Sequence, residues 1–160
     1  MVSSIEHLTT VASTTPLSFF SGDETMAFNL YFHLVLKIDG EIPGEGQESG
    51  LQKYIAGFVR TTGGNVKAVS FVQDRVYLLV GLSQFCALGT FVRELKLISA
   101  TYAQRKLGLE NFVWQERYEA FTISLSQIER VCSFIRRQKL LDEQESFASS
   151  WQRIASRELY

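Results

Sequence analysis

The sequence predicts an α+β protein of the ferredoxin-like, split βαβ kind, with an antiparallel sheet and helices on one face. Three observations point there. Apolar residues recur along the chain with two periods, about 2 and about 3.6 residues, which mark strands and helices respectively. Taken in order, the segments read strand, helix, strand, strand, helix, strand, helix, which is the split βαβ order with one helix added. Two of the strands are separated by so short a turn that they must form an antiparallel hairpin. At 160 residues, with 46% hydrophobic and 21% charged, the chain can build one apolar core, and a second full domain is not expected.

The first 26 residues are rich in Ser and Thr without periodicity and read as a mobile arm. From Ala27, AFNLYFHLVLKI is β-branched and aromatic, as expected of a strand buried on both faces. DGEIPGEGQESG follows with four glycines and a proline and reads as a loop. LQKYIAGFVRTTGG places Leu51, Tyr54, Ile55, Phe58 and Val59 on one helical stripe, with Gly63 and Gly64 as its stop. NVKAVSFVQ and RVYLLVGL read as the hairpin, turning near Gln73 and Asp74. Alternation then puts Arg75, Tyr77 and Leu79 on one face of the second hairpin strand and Val76, Leu78 and Val80 on the other.

LGTFVRELKLISATYAQRKLGL carries Leu88, Phe91, Val92, Leu95, Ile98 and Tyr102 on one stripe and reads as the longest helix. NFVWQERYEAFTIS is an aromatic strand. In SLSQIERVCSFIRRQKL, Ser124 and Gln127 have capping-box spacing ahead of an amphipathic helix. A tail, residues 141–160, reads as a short helix with Phe147, Trp151 and Ile154 on one side. The expected organisation is thus an arm (1–26), a domain (27–140) and a helical tail (141–160).

Charge is segregated along the chain. Residues 1–50 hold seven acidic residues and one basic, residues 51–140 thirteen basic and six acidic, and residues 141–160 four acidic and two basic. A basic body between acidic ends is compatible with a nucleic-acid partner. No apolar run approaches the roughly 20 residues that cross a bilayer. The N-terminal segment lacks the pattern of a secretory leader, so a cytoplasmic setting is expected. Cys86 and Cys132 form no C-x-x-C pair and are expected as reduced thiols. Phosphate-loop, G-x-S-x-G and H-E-x-x-H signatures are absent. The two histidines, His7 and His33, are too few for a conventional multi-histidine metal site, and His33 reads as a packed sheet residue.

Five blocks, YFHLVL, DRVYLLVGL, FVRELKLISA, FVWQERYEAFTIS and VCSFIRRQ, stand in the order and spacing of the single-tyrosine HUH transposases of the smallest bacterial insertion sequences. The resemblance spans about residues 28–147, and that family's fold is the one read from periodicity. It implies a DNA partner, single-stranded or hairpin, and a homodimer. It also implies a Mg²⁺ or Mn²⁺ site formed by two histidines of a D-H-V-H-L-L strand and a glutamine, beside a tyrosine nucleophile in a Y-I-x-x-Q helix.

The chain departs from that pattern at three of these four positions. Arg75 and Tyr77 stand where the family has its histidines, and Phe134 where it has the nucleophile; Gln138 matches. A guanidinium repels a dication, a neutral phenol is a poor ligand, and a phenyl ring cannot attack phosphorus. The expectation is therefore a transposase-like DNA-binding protein with no intact catalytic residue and no metal. Its candidate DNA contacts are Arg75, Arg93, Lys96, Arg105, Lys106, Arg136, Arg137 and Lys139, with Trp114 and Tyr118 as either stacking platforms or core. Two other readings stay open: an active enzyme whose nucleophile has moved to Tyr77 or Tyr118, and a dimeric interaction module that binds no DNA.

Overall fold

The computed structural model describes residues 30–139 and Gln152. The expected arm, and the expected helical tail apart from Gln152, lie outside the described residues. Strand β1 (Leu30–Ile38) is followed by helix α1 (Glu45–Thr61), the hairpin strands β2 (Asn65–Val72) and β3 (Arg75–Leu82), helix α2 (Leu88–Lys106), strand β4 (Trp114–Ile123), a 3₁₀ turn over Leu125–Gln127, and helix α3 (Ile128–Arg137). The strands form one antiparallel sheet in the order β2-β3-β1-β4. This is the α+β, ferredoxin-like order expected.

Helices α1 and α2 supply Leu51, Ile55, Val59, Phe91, Val92 and Leu95 to a core shared with Leu34, Leu36, Val76, Leu78 and Val80 of the sheet. Helix α3 lies on the opposite face. Its Val131, Cys132 and Ile135 bury Val35, Tyr77, Leu79 and Ile123 in a second cluster. The central strand β3 is therefore buried on both sides from Val76 onward. The expectation of helices on one face thus holds for α1 and α2, while α3 covers part of the face left to them as free.

Two local readings are corrected. The glycine-rich segment read as a loop is helical from Glu45, six residues before the apolar stripe begins. Glu45 and Glu48 lie in its first turn, where the helix dipole favours negative charge. The Gln47 side chain accepts the Gly44 N–H at 2.9 Å and donates to the Leu107 carbonyl at 2.8 Å, fastening the start of α1 to the end of α2. The capping box read at Ser124 does not form: its hydroxyl pairs with that of Ser126, and the chain makes a 3₁₀ turn before α3 begins.

The predicted helix stop holds. Gly63 takes φ +78°, and the Gly63 and Gly64 N–H groups donate back to the Arg60 and Val59 carbonyls at the end of α1, the latter shared with the Thr62 N–H and hydroxyl. Gly40 is required for another reason: a Cβ there would sit 1.8 Å from the Asn111 carbonyl oxygen. That approach lets Asp39 and Glu41 bond to Val113 and Asn111 and ties the end of β1 to the lead-in of β4.

Candidate nucleic-acid interface

Arg75 and Tyr77 share one face of β3, as alternation requires, but their surroundings differ. Tyr77 is 5% exposed. Its ring stacks on His33 at 6.2 Å, and His33 in turn stacks on Phe121 at 6.2 Å. The register accounts for this row, because Val35 faces Tyr77 on one side and Glu119 on the other, while His33 faces Leu79 and Phe121. Phe134 of α3 packs, partly buried, against the same cluster. Burial holds the His33 imidazole neutral, with its pKa lowered to about 3. The position matching the family's nucleophile thus serves packing. Gln138 stands at the C-terminal end of α3, half-buried, its N–H bonded to the Ile135 carbonyl.

Arg75 lies beyond the cover of α3. Across the β1–β3 ladder it is directly opposite Lys37. The Lys37 ammonium is 3.4 Å from the Asp74 carboxylate and the Arg75 Nε 4.0 Å from it. A cleft of about 350 Å³ opens at this end of the sheet, lined by Lys37, Arg75, Arg117, Glu119, Gln115 and Tyr118 above Val35. Three strands each contribute one cation to it.

The other basic residues singled out from the sequence are dispersed. Arg93 and Lys96 line a separate, more apolar cavity of about 430 Å³ between α2 and β4, with Leu97, Trp114 and Tyr118. Lys96 donates to the Gln115 and Glu116 carbonyls at 2.7 and 2.8 Å and lies 5.1 Å from the Tyr118 ring centroid. Burial lowers its pKa, against the pull of Glu116. Arg105 and Lys106 occupy the exposed last turn of α2, and Arg136 and Arg137 that of α3, where cations suit the helix dipole. Lys139 is ion-paired with Glu48 of α1.

Trp114 belongs to the core. Its indole N–H donates to Ser99 at 2.9 Å and its ring meets Phe112 edge-on. Tyr118 is 37% exposed and borders both cavities. Lys37 and Arg117 are the cleft cations absent from the contacts expected from the sequence. Alternation on β1 puts Lys37 on the face of Val35, but nothing local announces that β4 will lie beside it.

The family described as "Transposase IS200 like" matches residues 26–138. Among solved structures, the REP-associated tyrosine transposase bound to a REP hairpin aligns with TM-score 0.56 and 16% identity, covering 87% of this chain and 88% of that one. A candidate transposase from Deinococcus radiodurans aligns with TM-score 0.55 and 19% identity, covering 74% of this chain and 98% of that one. At these identities the likeness is one of fold. No curated protein matches the chain by sequence. Because the family match spans well over half its length, the chain belongs to the IS200-like transposase family.

Proposed function

We propose that this protein binds single-stranded or hairpin DNA, as a cytoplasmic homodimer, without cutting it. The observation that carries this reading is the state of the three substituted positions. Tyr77 is buried in an aromatic stack, Phe134 packs against the same cluster, and Arg75 stands with Lys37 and Arg117 in a cationic cleft.

These residues do not fit the divalent metal of the family. Arg75 brings a fixed positive charge to the ligand position, beside a second cation directly across the ladder. Tyr77 in its stack could reach a metal only by unpacking α3. With no hydroxyl at Phe134, the covalent step loses its nucleophile, whereas electrostatic attraction for a DNA backbone needs neither group. Support for a DNA partner comes from the family and from the neighbouring fold bound to a REP hairpin. Support for a dimer comes from the sheet edge: β4 is an edge strand among the described residues, and Leu97 and Val113 are exposed beside it.

One observation favours a second reading. Tyr118 presents a half-exposed phenol at the rim of the cationic cleft, so it is the better placed of the two tyrosines considered as relocated nucleophiles. Incubating the protein with a labelled hairpin carrying a single-stranded flank, in Mg²⁺ or Mn²⁺, distinguishes the two. The expected result is retardation of the DNA with no denaturation-resistant adduct. An adduct that disappears in Tyr118→Phe would establish the enzyme reading instead. Absence of any binding at low salt would leave a dimeric interaction module.

A further inference from the structure

We propose that the cleft at the ends of β1, β3 and β4 seats one phosphodiester of an unpaired DNA strand without a metal, through Lys37, Arg75 and Arg117. This rests on the DNA-binding reading above. Like charges drawn together from three strands repel unless an anion accompanies them. Here Asp74 lies against Lys37 and Arg75, and Glu119 lines the same cleft. Three cations face two carboxylates, so the cleft keeps a positive excess.

The donors are available. Among the described residues the guanidinium groups of Arg75 and Arg117 donate no hydrogen bond, and the closest approach of Arg75 to Asp74 is the loose 4.0 Å contact through Nε. Each guanidinium offers five N–H donors in a rigid fork that suits two phosphate oxygens at once. Asp74 and Glu119 then act as internal stand-ins for the phosphate, which must displace or outcompete them.

An unpaired strand is favoured by what borders the cleft. Tyr118 and Gln115 line both this cleft and the 430 Å³ cavity between α2 and β4. A base attached to the seated phosphate can therefore lie on the Tyr118 ring or enter that cavity, where the Gln104 and Gln115 amides, whose nitrogens donate to the Phe112 carbonyl and the Asp39 carboxylate, present their oxygens as acceptors. Stacking of this kind requires a base whose face is not already covered in a duplex.

The test is fluorescence anisotropy of a labelled oligothymidine with the full chain, in EDTA, across a salt series. Arg75→Ala and Arg117→Ala are each expected to weaken binding about tenfold, as loss of a hydrogen bond to a charged group does. The variant lacking all three cations should flatten the log–log salt slope by roughly 0.7. Asp74→Asn has the opposite sign: removing the internal competitor should tighten binding several-fold, an effect no merely structural role predicts. Circular dichroism verifies that each variant is folded.

Wild-type binding that is indifferent to all these substitutions overturns the cleft assignment and leaves the DNA-binding reading standing. Failure of the wild type to bind at low salt overturns both. Binding that vanishes in EDTA and returns with Mn²⁺ overturns metal independence. Displacement of the oligonucleotide by inorganic phosphate at comparable concentration would show a lone-anion site and overturn the strand assignment.

Discussion

Burial of an imidazole between aromatic rings couples the stability of this sheet to pH through a single residue. The folded-state pKa of His33, about 3, lies below the ordinary 6.5 because burial penalises the charged ring. The unfolded chain therefore takes up a proton that the folded chain refuses. The stability due to the neutral ring is complete above pH 6.5 and is lost as the pH falls toward 3. Urea titrations across that window should show the unfolding free energy of the wild type dropping by up to about 1.4 kcal/mol per pH unit from this group. His33→Phe, which keeps an aromatic ring in the stack, should remove that component. An acid limb of equal steepness in the variant would assign the dependence to other groups. The packed character of His33 was legible from its apolar flanks; its ring partners were not, because Tyr77 and Phe121 reach it from two other strands.

At the scale of elements, β4 is held from two sides, which explains why a lysine expected to contact DNA has another occupation. Trp114 at the start of β4 and Ile123 at its end are buried on opposite faces of the sheet, in the two different clusters. Between them most of the strand is exposed, and Lys96 of α2 bonds two successive carbonyls there. Two of its three N–H donors are thus engaged within the chain. Lys96→Met keeps the aliphatic stem and removes the donors. It should cost about 1.5–3 kcal/mol in chemical denaturation, the range for hydrogen bonds to a charged group, while leaving the salt slope of DNA binding nearly unchanged. A flattened slope with unaltered stability would return Lys96 to the DNA interface. The helical stripe of α2 announced that its apolar side would be buried. It could not say that a cation off that stripe would reach across to β4, since that depends on the helix's rotation over the sheet. The same limit applies to α3: its amphipathic pattern called for a surface to cover, and only the tertiary structure shows which face of the sheet it takes.

For the whole molecule, the strand order decides which substituted positions can still work. Period-two alternation correctly put Arg75 and Tyr77 on one face, yet α3 crosses only part of that face, so Tyr77 is buried and Arg75 remains in a cleft. Pairing of β1 with both β3 and β4 adds Lys37 and Arg117 to Arg75, three residues separated by long stretches of sequence. Restoring the family's residues at three positions therefore does not restore its chemistry. In the triple variant Arg75→His, Tyr77→His, Phe134→Tyr, a dication would still face Lys37 and Arg117, and every like charge nearby opposes its binding. The imidazole that replaces the Tyr77 ring would also have to leave the stack against His33 before it could reach a metal. Incubated with labelled hairpin and Mn²⁺, this variant should give no denaturation-resistant adduct. Adding Lys37→Gln and Arg117→Gln, which remove the two remaining cations while keeping polar side chains, should make metal binding measurable by calorimetry before any cleavage returns. Efficient adduct formation by the triple variant alone would mean that the cleft cations do not govern metal occupancy, and that the three substitutions are the whole of the difference from an active transposase.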